Sequence, residues 1–147
     1  MNAYLLDARV LLNLIAGTKA PDPAVKKWLD SLAKEDQLFA SQITQAQLLS
    51  DAYRHGDAIE RADWIERITK SLPDEFASRL LRFGAWDELD TWALVRHVQA
   101  DGDTALPAET AFLVAVALVN DFILVSRRTP TLEKTGVRVF DPWADKS

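Results

Sequence analysis

Cysteine is absent from the chain. That excludes disulfides, thiolate metal sites and cysteine nucleophiles, and it suits a reducing compartment. Histidine is scarce: His55 and His97 are the only two, and neither has a partner at metal-ligand spacing. Ser41, Ser50 and Ser126 stand in no Ser-His-Asp pattern. Long apolar runs are missing as well. The longest, Ala111 to Val119, is far short of the roughly 20 residues a membrane span needs. The first residues show no basic segment ahead of an apolar core and no small-residue cleavage site, so no signal peptide is expected. A cytoplasmic protein with no membrane partner is the expectation. Positive charge is in deficit, with 17 Lys and Arg against 22 Asp and Glu and a net charge of -5. The chain as a whole is not built to attract nucleic acid, which leaves only local basic patches for that purpose.

What is present is an ordinary globular balance. The 147 residues are 48% hydrophobic and 27% charged, enough for one domain, 1–147, with a sizeable core. Residues 2–6 read as a buried strand, followed by a helix from about Val10 to Ala16 that stops near Gly17. Asp22 and Pro23 are an N-cap and a first helical residue, opening a helix to about Ala33 with Val25, Trp28, Leu29 and Leu32 on its core face. Leu38 to Ala40 is a second strand, and Ser41 or Thr44 caps a helix running to about Tyr53. Residues 58–70 form an amphipathic helix with Ile59, Trp64, Ile65 and Ile68 as its apolar side. Leu80 to Phe83 is a short strand or bridge broken by Gly84, and a helix follows from Trp86 to Gln99. Asp101-Gly102-Asp103 is a turn, and Pro107 opens a very apolar helix to Asn120. Phe122 to Ser126 and Val137 to Phe140 are the last strands.

Strands alternating with helices imply a parallel sheet covered on both faces. In such a sheet functional residues collect at the C-terminal ends of the strands. Asp7 follows the first strand, and Ser126, Arg127 and Arg128 end a later one, so these residues are expected to lie near each other. Five tryptophans are many for this length and point to core and interface packing.

The opening Tyr4-Leu5-Leu6-Asp7-Ala8-Arg9-Val10-Leu11 resembles the strand-Asp-Thr-Asn-Val start of the PIN-domain family, in particular VapC-type toxins and the related FitB and plasmid-stability proteins. Ala20 to Val25 with Trp28-Leu29 resembles the next helix of the FitB-like branch. Phe39 to Leu48 is similar to the segment that carries the family's glutamate, and Leu106 to Ala111 to the segment before its apolar helix. Leu124 to Arg128 is similar to a Thr-Arg-Asn pattern, and Thr135 to Trp143 to the closing segment. No single piece is specific, but their order and spacing across residues 4–143 are. The resemblance implies a three-layer α/β/α domain with a short parallel sheet. It also implies homodimerisation and an antitoxin-like partner whose segment occupies a groove between helices.

The family's chemistry is phosphodiester hydrolysis at Mg²⁺ or Mn²⁺ held by three or four carboxylates. Position by position, only Asp7 matches an acid. Gln47 stands at the glutamate, Thr110 at the central aspartate and Thr131 at the last aspartate, while Arg9 and Arg128 replace small polar residues. Glu109 is the rescue candidate beside Thr110, although adjacent helical residues point about 100° apart. One acid with arginines nearby is a poor site for a hard cation. The expectation is therefore a degenerate member with no resident metal and little or no nuclease activity, acting through protein contacts. Arg9 or Arg128 is expected to neutralise Asp7. One alternative is an active Mg²⁺ or Mn²⁺ ribonuclease with relocated acids such as Asp7, Glu109 and Glu133. Another is a non-cleaving RNA-binding module that uses Arg9, Arg127 and Arg128 on phosphate.

Overall fold

Leu5 and Leu6 are neighbours in sequence, both fully buried, yet they belong to different cores. Alternate side chains of a strand point to opposite faces, so a strand buried on both sides must be apolar at every position. This is β1 (Ala3–Leu6), the middle strand of a five-stranded, all-parallel sheet. The structure is a computed structural model and describes residues 1–15, 22–82, 84–99 and 106–145. The strands lie in the order β3-β2-β1-β4-β5, with β2 at Gln37–Ser41, β3 at Leu80–Leu81, β4 at Ile123–Val125 and β5 at Val139–Phe140. Leu5 pairs in register with Leu124 and Leu6 with Val125, which carries the same two-sided burial into β4.

Helices close both faces into three layers. One face packs against α1 (Ala8–Ile15), α2 (Pro23–Ser31), α3 (Gln42–Ala52), α4 (Ala58–Glu66) and α5 (Leu72–Phe76), through residues such as Val10, Val25, Trp28, Leu48 and Phe76. The other packs against α6 (Trp86–Gln99) and α7 (Ala108–Asn120), with Leu132 of the short α8 (Pro130–Glu133) joining them. α7 buries Ala111, Leu113, Val114, Ala115, Val116 and Ala117, so it is apolar nearly all round because neighbours surround it. Among the described residues no helix is long and apolar enough to cross a membrane.

Local chemistry sets the helix starts. Asp22 accepts from Ala24 N at 2.9 Å with Pro23 next to it, and Ser41 accepts from Ile43 N at 3.1 Å, so Ser41 rather than Thr44 is the cap of α3. Thr44 is instead buried, and its hydroxyl has no hydrogen-bond partner among the described residues. Two expectations need correction. Ile59 is 83% exposed and does not join the core, because it sits at the outward start of α4. The helix expected to stop near residue 70 instead passes through a π turn, Arg67–Ser71, into α5. There Leu72 N bonds back to Arg67 O, so the chain accommodates Pro73, which has no N–H to give, without ending the helix. The segments read as a stop at Gly17 and a turn at Asp101-Gly102-Asp103 lie outside the described residues.

Leu124 is fully buried at the sheet centre. Leu124→Ala should lower the unfolding free energy by about 2–5 kcal/mol, read from urea denaturation.

Candidate functional site

In a parallel sheet of order β3-β2-β1-β4-β5 the chain leaves β1 toward β2 on one side and comes back to β4 on the other. The crevice at the C-terminal ends of β1 and β4 is therefore the switch point where α/β proteins place their ligands. Asp7 ends β1 and Ser126 ends β4, and the Asp7 N–H donates to Val125 O at 3.2 Å, pinning the two ends together. α7 precedes β4 and runs back along the sheet, which brings its first-turn residues Glu109 and Thr110 to this same edge. α3 starts directly from the end of β2, and Gln47 lies in its second turn.

Asp7 is a helix cap. Its carboxylate accepts from Val10 N at 2.9 Å, closing the first turn of α1. The Arg9 N–H and the Ser126 hydroxyl also donate to it. Burial nonetheless outweighs these bonds and pushes the Asp7 carboxyl above its ordinary value, while the nearby Arg9 charge opposes that rise. The expected ion pairs are not made. Arg9 lies on the outward side of the first turn of α1, with its guanidinium 5.9 Å from the ring of Trp143. Arg128 turns away to the far side of β4, where three carboxylates wait. Its backbone N–H donates to Asp141 Oδ2 at 2.9 Å and its Nε meets Glu133 at 3.0 Å. Its two terminal nitrogens fork onto Asp145, one of them at 2.6 Å. Bidentate pairing is the strongest arrangement open to a guanidinium, which explains the choice of Asp145 over an Asp7 whose oxygens already accept three donors. The pairing holds the Asp145 carboxyl below its usual range, chiefly through the Arg128 hydrogen bond, and raises Arg128.

The remaining positions do not form a set of metal ligands with Asp7 among the described residues. Thr131 lies in α8, whose cap is Thr129, and Glu133 of that helix is spent on Arg128. Glu109, Thr110 and Gln47 make no hydrogen bond to Asp7, and among the described residues no group of three His, Cys, Asp or Glu is placed to hold a metal. Asp7, Glu109 and Glu133 are thus not assembled into one relocated acid set. His55 sits exposed after the end of α3, stacked beside Trp64, and His97 is exposed on α6. The donor set does not fit a Mg²⁺ or Mn²⁺ ion. Asp7 is already engaged by protein donors, Gln47 and Thr110 are neutral, and Glu109 does not complete a group of three acids among the described residues. One residue of the site escaped the sequence reading: Trp143, which takes Arg127 at 4.5 Å as well as Arg9. Only an aromatic two residues past the buried Asp141 hinted at it.

Comparison with known proteins places this arrangement. No family model matches the chain. The plasmid stability protein StbB of Pseudomonas syringae pv. tomato is 34% identical over 95% of this chain and 97% of its own length. Toxin FitB of Neisseria gonorrhoeae is 29% identical over 96% of this chain and 99% of its own. The solved structure of FitAcB from Neisseria gonorrhoeae superposes with a TM-score of 0.80 at 27% identity, covering 96% of this chain and 99% of that one. VapBC2 of Rickettsia felis, at 14% identity and a TM-score of 0.69 over 94% of this chain and 97% of that one, shares the fold. An α/β/α sheet with its crevice between β1 and β4 is thus the PIN-type architecture. The chain belongs to the PIN-domain family of VapC- and FitB-like toxins and plasmid-stability proteins.

Two stability measurements follow from these electrostatics. Asp145 has a depressed folded value, so its contribution is present above the unfolded carboxylate range and is lost as pH falls through the folded value. Asp145→Asn should flatten the acid limb of the stability–pH curve. Asp7 has the opposite shift, so its ionised form opposes folding near neutrality. Asp7→Asn keeps a capping side chain and should raise the urea midpoint at pH 7, with the gain shrinking as pH falls.

Proposed function

We propose that this chain is a degenerate PIN-domain member of a toxin–antitoxin or plasmid-stability pair, with little or no nuclease activity, acting through protein contacts. It is a cytoplasmic, one-domain protein that assembles as a homodimer and is held by an antitoxin-like partner. The observation that carries this reading is the state of Asp7: the one matched acid is committed to capping α1 and to Ser126, and no group of three acids is placed to hold a metal among the described residues. Metal-assisted hydrolysis needs local negative charge to hold a hard cation and activate water, and this crevice supplies little. What supports the partner is the company the chain keeps. FitAcB, FitAB on a DNA fragment and VapBC2 on a promoter DNA fragment are its structural neighbours, and StbB is named for plasmid stability.

Structured RNA incubated with the purified chain and Mn²⁺ tests the catalytic half of this reading. The expected result is cleavage no faster than without protein. Metal-dependent cleavage that Asp7→Asn abolishes would overturn it in favour of an active ribonuclease.

A further inference from the structure

Two cations converge at the mouth of the crevice. Arg9 follows β1 by way of Asp7, and Arg127 follows β4 by way of Ser126, so adjacent strands deliver them to the same place. Both side chains are exposed, and their guanidiniums lie 5.9 and 4.5 Å from one ring, that of Trp143. Neither makes an ion pair among the described residues, although Arg9 feels the nearby Asp7 charge, and each guanidinium is set against the indole instead. Two like charges set against one indole give the crevice mouth a local positive potential in a chain of net charge -5, and that potential favours an anionic group there.

We propose that Arg9, Trp143 and Arg127 form a receptor for a carboxylate, an Asp or Glu side chain or a terminal carboxylate, carried on a segment of a protein partner. The indole fixes a guanidinium plane by cation–π contact while leaving its N–H edge free to fork onto a carboxylate. Beside Trp143 opens a cleft of about 230 Å³ lined also by Ala24, Lys27, Trp28, Phe140, Pro142 and Asp145, whose carboxylate is already paired with Arg128. Its aromatic walls suit an apolar side chain next to the acid. A polyanion fits less well. It repeats its charge at every nucleotide against a protein of net charge -5, and Arg128 is already consumed by Asp145 and Glu133. This inference rests on the reading above that the chain works through a protein partner. It adds the sign of the charge that the partner brings.

The probes are an end-blocked peptide pairing Glu with Leu, its Lys–Leu counterpart and a single-stranded RNA oligonucleotide, each titrated into the full chain. The readout is the indole N–H resonance of Trp143, assigned with Trp143→Phe, together with the Nε–H signals of the arginines. The Glu–Leu peptide should shift Trp143 and Arg127, less so as salt rises. Arg9→Gln combined with Arg127→Gln should weaken it about ten-fold, roughly what losing two exposed ion pairs removes. Both positions are exposed, and an unchanged urea midpoint shows that the double variant is folded. No shift with the acidic peptide, an equal response to the basic one, stronger binding of RNA, or an unweakened double variant would each overturn the proposal. RNA cleavage under Mn²⁺ would sink the non-cleaving reading alone, because it leaves the sign of the peptide preference to be read separately.

Discussion

The pairing of β1 with β4 is the constraint from which the rest of the molecule follows. Leu5 and Leu124 lie side by side facing the α6–α7 layer, while Leu6 and Val125 face the layer built from α1 to α5. All four are fully buried, so a slip of one residue would exchange the two cores' side chains. The same pairing ends with the Asp7 N–H on Val125 O, which is what places Asp7 against Ser126. Core and crevice are therefore one arrangement: the register that fills both hydrophobic layers also brings the ends of β1 and β4 to a common point.

In the proposed reading, that point no longer carries the chemistry of the family's reaction. A site for a hard divalent ion gathers carboxylates and lets solvent or substrate complete the shell. Here Asp7 is half-buried and serves the fold, closing α1 and receiving Ser126. The arginines divide into two roles. Arg128 ties the segment after β5 to β4 through Asp141, Asp145 and the Val139 carbonyl, 2.8 Å away, so it is structural. Arg9 and Arg127 stay outward on Trp143 and give the mouth of the crevice its positive character.

Much of this was legible in the sequence because it is local. The helix over Trp86–Gln99, the Asp22-Pro23 start of α2 and the two-sided apolar strand at the N-terminus are written in spacing and capping residues. Asp7 at a strand end located the crevice. What was not legible depends on contacts distant in sequence. Arg128 and Asp145 are 17 residues apart with a helix and a strand between them, so nothing local says that this acid, rather than Asp7, wins the guanidinium. The convergence of Arg9 and Arg127 on Trp143 needs the ends of three strands at once. The π turn ahead of Pro73 was missed because proline ordinarily signals a stop, and only packing of Ile68, Leu72 and Phe76 into the core carries the helix through it.

The proposed loss of the catalytic metal from the crevice between β1 and β4 is open to direct observation in a crystal of the chain soaked in Mn²⁺ and examined by anomalous scattering. The expected result is no ion at Asp7, with its carboxylate still on Val10 N and Ser126. An ion there held by Asp7 and at least one further carboxylate would contradict it.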